Sequence, residues 1–178
     1  VAEIAQSVDK DGRTGMGTRL AFEAKGPKGR LEIEAAHTTP DFTPQGSSVG
    51  AGKTQVSLQA STKLTRQRAL AVTAQYLRDL ATGGQMLSAG VSLDQQVNAT
   101  LARTAGVRAV RAWGNGNPRT TLYLSNGAKW TAREVTGLSF HIRYERAFLA
   151  ENHAKMTFGG QLALDNGLRV FAEAEVTS

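Results

Sequence analysis

The chain has 178 residues, no cysteine and a formal net charge of +6 at neutral pH. That length suffices for one domain with a real core, and the lack of cysteine excludes a disulfide framework, thiolate chemistry and Cys-ligated zinc. No apolar run is long enough for a transmembrane helix, and the first residues, VAEIAQSVDKDG, lack the basic-then-apolar order of a signal peptide.

Period-two alternation dominates, and helical periodicity is nearly absent. TRLAFEAK sets Leu20, Phe22 and Ala24 against Arg19, Ala21, Glu23 and Lys25; GPKG turns the chain; RLEIEAAH sets Leu31, Ile33 and Ala35 against Arg30, Glu32 and Glu34. The pair reads as a hairpin. A long polar connection, HTTPDFTPQGSSVGAGKT, leads into QVSLQASTK, with Val56, Leu58 and Ala60 opposite Gln55, Ser57, Gln59 and Ser61. ALAVTAQYLRD follows with Leu70, Val72, Ala74 and Tyr76 on one face, then MLSAGVSLD with Leu87, Ala89, Val91 and Leu93, and VNATLART with Val97, Ala99 and Leu101. In the less regular middle, NGNP and SNG are turn signals flanking a short strand, RTTLYLS, and TAGVRAVRAWGNGNP is a loop or a strand extension. GLSFHIRYER sets Leu138, Phe140, Ile142 and Tyr144 against Ser139, His141, Arg143 and Glu145; AFLAENHA connects; KMTFGGQLAL carries Met156, Phe158, Gly160, Leu162 and Leu164; DNG turns; LRVFAEAEV carries Leu168, Val170, Ala172, Ala174 and Val176.

The expected fold is all-β: an antiparallel up-and-down meander forming a β-barrel of about 8–10 strands, one domain over residues 1–178. Strands of about eight to ten residues exceed the usual globular length and suit a tilted crossing of a bilayer.

Four competing functions can be weighed on their residues. Gly50-Ala51-Gly52-Lys53-Thr54 looks like the end of a phosphate-binding loop, but Ser47 stands where the first glycine belongs. The flanks are a polar, proline-bearing stretch and an alternating strand, not the strand and helix that hold a phosphate. Lys53 is therefore expected in a loop without a nucleotide role. The basic balance raises nucleic acid, yet Lys and Arg are scattered among Glu and Gln with no basic cluster and no aromatic-and-basic signature. Neither nucleotide nor nucleic acid is an expected partner. Ser139, His141 and Glu145 could form a hydrolytic constellation on one strand face, but same-strand neighbours lie about 7 Å apart and triad members need hydrogen-bond contact. The three histidines, His37, His141 and His153, have no metal-ligand spacing, and single carboxylates are far from a calcium loop. No catalytic, cofactor-binding or metal residue is assigned, and no cofactor is expected.

Which face meets water decides between a soluble barrel, apolar inside, and a membrane barrel, apolar outside. The polar face is of mixed sign, the apolar face has few charges, and many apolar positions are Ala or Gly, which a soluble core would fill with larger side chains. Aromatics make up only 6% of residues; Tyr76, Trp113, Tyr123, Trp130, Tyr144 and Phe148 would form a sparse belt near strand ends. Arg78, Arg103, Arg146 and Lys155 would reach lipid phosphates or water there. Glu23, Glu32, Glu34, Glu145, Glu173 and Glu175 are expected to meet Arg or Lys across strands.

The stretch LTRQRALAVTAQYLRDLATGGQMLSAGVSLDQQVNATLA resembles the hairpin arrays of bacterial outer-membrane β-barrel proteins, and HTTPDFTPQG, with its Asp-Phe-x-Pro-x-Gly pattern, is similar to loops of large surface barrels. The resemblance covers most of the chain and implies a bacterial outer-membrane location, a structural, anchoring or pore-forming role, and outer-membrane lipid as partner, with other envelope subunits or a larger barrel as further candidates. The ending AEAEVTS departs from the aromatic terminus of such barrels, as a fragment or a trimmed chain would. A soluble ligand- or partner-binding β domain and a lipid-modifying barrel enzyme are the alternatives.

Overall fold

The computed structural model describes residues 1–8, 11–42, 50–114, 116–132, 138–163 and 169–178. Their regular structure is entirely β: β1 (Ala2–Val8), β2 (Thr14–Lys25), β3 (Gly29–Thr38), β4 (Lys53–Lys63), β5 (Arg68–Asp79), β6 (Gln85–Gln96), β7 (Leu101–Trp113), β8 (Arg119–Thr131), β9 (Leu138–Leu149), β10 (Ala154–Ala163) and β11 (Arg169–Thr177). They form one 11-stranded sheet in chain order, and the registers of β1 to β4 and of β8 to β11 are antiparallel. By contacts the chain divides into two compact units, one of Val1–Thr62, Val72–Gly90 and Val110–Thr120, the other of Lys63–Ala71, Val91–Ala109 and Thr121–Ser178.

The expected count of 8–10 strands is corrected to 11. The added strand is β1, whose AEIAQSV breaks alternation at Gln6 and is held by pairing along β2, from Ala2 opposite Leu20 to Val8 opposite Thr14. Other boundaries also move. Val97 and Ala99 leave the strand: Asn98 Oδ1 accepts hydrogen bonds from the backbone N–H of Thr100 and Leu101, both at 2.9 Å, and from Thr100 Oγ1 at 2.9 Å. This side-chain turn outweighs the apolar pattern. SNG is not a turn, because β8 runs through it: Asn126 pairs with Tyr144 and Gly127 with Arg143. The segment from Thr104 to Trp113 is strand extension, Ala147–Leu149 belongs to β9, and Lys53 opens β4 instead of lying in a loop. The expected DNG turn at 165–167 lies outside the described residues.

Where the registers are defined, over β1 to β4 and over β8 to β11, the predicted faces hold. Leu20, Ala35 and Val56 are cross-strand neighbours, as are Ile33 with Leu58 and Leu31 with Ala60. Phe140 pairs with Gly160, Ile142 with Phe158 and Leu162 with both Leu138 and Val170. What the apolar face lacks is cover. Leu20 is 60% exposed, Phe22 57%, Phe140 49% and Phe158 47%. The buried apolar residues are Ala36, Phe42 and Ala147, and no large side chain among the described residues is fully buried.

Candidate functional site

The polar face carries the chemistry. In the first unit Arg19 of β2 extends a fork to Glu34 of β3, Nε to Oε1 at 2.9 Å and Nη2 to Oε2 at 3.2 Å, while Nη1 reaches Glu3 of β1 at 3.5 Å. A planar guanidinium can bridge three strands in this way because its donors point in fixed, divergent directions. Further along, Glu23 and Glu32 face each other in register, as do Lys25 and Arg30. Like charges opposite are unfavourable, and the ion pairs offset them: Arg30 to Glu23 at 2.9 Å, Lys25 to Glu23 at 2.8 Å, and Arg30 to Glu32.

At the other end of these strands the chain folds back over the polar face. Phe42, only 8% exposed, lies on Gly15 and Gly17 of β2. A Cβ at Gly17 would stand 2.8 Å from the Phe42 ring, and one at Gly15 would stand 2.3 Å from its backbone; glycine alone permits this approach. Thr38 Oγ1 donates to the Gly50 carbonyl at 2.7 Å and accepts the Lys53 N–H at 3.0 Å, and Thr39 Oγ1 accepts the Met16 N–H at 2.9 Å. Gly52 donates to Thr39 O at 3.0 Å and accepts from Leu80 N–H at 2.7 Å. GAGKT is thus turn and strand start, with a β-strand where a phosphate loop requires a helix.

In the second unit Arg108, His141, Arg143, Glu145, Lys155, Thr157 and Glu173 line a cavity of about 620 Å³. Glu145 is the least exposed carboxylate of the group, with Arg143 at 3.3 Å and Arg108 at 3.9 Å. Arg108 also lies over the Tyr123 ring, 4.4 Å from its centroid, and the Tyr123 hydroxyl donates to Glu151 at 2.9 Å. Lys155 pairs with Glu175 at 2.6 Å, and His141 Nε2 lies 3.3 Å from Glu173 Oε2.

These contacts revise several expectations. Cross-strand Arg or Lys partners are present for Glu23, Glu34, Glu145 and Glu175, but Glu32 meets Arg30 of its own strand and Glu173 meets a histidine. Ser139, His141 and Glu145 share a face without a hydrogen bond joining them, since His141 turns to Glu173 and Glu145 to the arginines. Among the described residues no group of three or more His, Asp or Glu is placed to hold a metal. Tyr123 lies on the polar face, so it is not a belt residue, and Lys155, also on that face, is paired with Glu175. Trp130 and Phe140 stack on the apolar face at 5.8 Å between centroids, and Arg146 sits 5.2 Å from the Phe148 ring centroid. The seat of Phe42 on the polar face of β2 was not legible in the sequence; the glycines spaced two apart at 15 and 17 were its only trace.

No protein-family model matches the chain, and no curated protein matches it in sequence. Solved structures do. The KdgM porin in complex with disordered oligogalacturonate matches with a TM-score of 0.56 at 9% identity, over 99% of this chain and 89% of that one. The NanC porin matches with a TM-score of 0.54 at 11% identity, over 98% and 85%. The likeness establishes the fold class: an all-β, antiparallel, up-and-down architecture of the kind found in these porins.

Proposed function

We propose that the chain is a porin-like β-barrel of the bacterial outer membrane, one domain over residues 1–178, whose polar face lines a passage for small hydrophilic solutes. One observation carries this reading. Within each unit, large apolar side chains of one face, among them Leu20, Phe22, Phe140 and Phe158, are left exposed, while charged residues of the opposite face pair among themselves. A soluble domain buries such a face; a bilayer covers it. The stacked Trp130 and Phe140 and the Arg146–Phe148 pair suit a membrane interface.

An eight-stranded barrel is just filled by its own side chains, and 11 strands leave more room. The basic excess of the chain and the cations Arg108, Arg143 and Lys155 around the cavity favour anionic solutes. The polyanionic oligogalacturonate of the KdgM structure is of that class. Outer-membrane lipid is the proposed partner of the apolar face, and no catalytic, cofactor or metal residue is assigned.

Purification with and without detergent tests the membrane assignment. The folded chain is expected to require detergent or lipid, with probes at Leu31, Val72 and Leu162 quenched by a lipid-borne agent. A protein that stays folded and monomeric in plain buffer, with those positions shielded, refutes it.

A further inference from the structure

His141 stands at a junction of charges. Lys129 of β8 is its register partner on one side and Gly159 of β10 on the other. Because position 159 has no side chain, the imidazole lies across β10: a Cβ there would be 2.7 Å from His141 Cε1 and 3.0 Å from Nε2. Gly159 pairs in turn with Glu173 of β11, and the ring reaches that carboxylate at 3.3 Å. The other charged groups around it are Arg143 on its own strand, Lys155 on β10 with its partner Glu175 on β11, and the Arg108–Glu145 pair.

We propose that His141, seated across Gly159 against Glu173, sets the charge selectivity of this part of the polar face and changes it with pH. The inference rests on the pore reading above. The cavity lining holds three fixed cations, Arg108, Arg143 and Lys155, against two carboxylates, Glu145 and Glu173. With a neutral imidazole the lining carries one net positive charge, and with an imidazolium two. Imidazole is the side chain whose ordinary titration falls between about pH 5 and 8. One proton on the ring doubles the local charge that a permeating ion meets, and a polar face bounded by low-dielectric walls focuses that field.

The test is reversal potential in planar bilayers under a potassium chloride gradient, at pH 8 and pH 5. The wild-type anion-over-cation permeability ratio should rise roughly twofold on acidification, in step with the charge. His141→Gln should hold the pH 8 value at both. Glu173→Gln should already show at pH 8 the ratio that the wild type reaches at pH 5. His153→Gln, which removes a histidine paired with Glu151 outside the cavity lining, should leave the response intact. Histidine ring NMR in micelles, which needs no conduction, follows the proton itself: a resonance missing from His141→Gln should move between pH 5 and 8. A flat resonance, a conducting wild type with equal ratios at both pH values, or a response kept by His141→Gln and lost by His153→Gln overturns the proposal. A wild type that conducts at neither pH although His141 titrates refutes the pore reading itself.

Discussion

Glycine decides what two side chains can do here. Gly17 lets the Phe42 ring settle on β2, and Gly159 lets His141 lie across β10. The first makes a direct prediction. Gly17→Leu puts a side chain into the 2.8 Å gap below the ring, so Phe42 must leave its seat. Thermolysin should then cleave the Asp41–Phe42 bond at least about tenfold faster, because local opening controls such cleavage; equal rates in variant and wild type would show that the seat does not hold the segment. Arg19 acts differently. Its guanidinium ties Glu3 and Glu34 together at the surface, so Arg19→Lys, which keeps the charge and loses the fork, should move the urea unfolding midpoint in micelles only slightly; a large shift would show that the fork holds β1 to β3 together.

Each strand presents two chemistries one residue apart, so adjacent substitutions on β10 give a controlled comparison. Phe158 lies on the apolar face opposite Ile142 and Ala174, and Thr157 lies on the polar face in the cavity lining. Phe158→Arg should destabilise the lipid-inserted protein by about 2–4 kcal/mol if it lies near the bilayer midplane, and Thr157→Arg by much less. Folding yield into vesicles measures both; equal losses would mean that the apolar face does not meet lipid. Turns are a separate matter. The hydrogen bonds to Asn98 Oδ1 close the turn, beside the Val97 N–H bond to Leu101 O at 2.8 Å. Asn98→Ala should lower stability by about 1–2 kcal/mol, since each such bond contributes about 0.5–1.5 kcal/mol, and Asn98→Asp, which keeps the acceptor, should restore most of it.

At the scale of the molecule, no large side chain among the described residues is fully buried, so an apolar interior adds little to their stability in water. Strand pairing carries more of it, and a bilayer around the apolar face supplies the rest in the proposed setting. Liposome swelling addresses the consequence for the pore: with 11 strands, a neutral monosaccharide should enter vesicles carrying the protein and leave protein-free vesicles unchanged. Uptake no faster than in the control would mean that the polar face encloses no continuous passage.

Alternation by itself determined the antiparallel strands and the two faces of each, because a side-chain period of two assigns Leu20 and Arg19, or Phe158 and Thr157, to opposite sides whatever the strand pairs with. The ion pairs of Glu34 and Glu175 were legible for the same reason: charge of both signs recurs on one face. Local signals failed where pairing or turn chemistry competes with them. Neighbouring ladders carry Asn126 and Gly127 straight through an apparent turn, β2 recruits the irregular β1, and Asn98 closes a turn inside an apolar pattern. Three features were decided only by tertiary structure: the exposure of the apolar face, the seat of Phe42 on Gly17, and the approach of His141 to Glu173 across Gly159. Each depends on which backbone lies beside which. Sequence spacing records the period along a strand, whereas register is set by the pairing of distant segments.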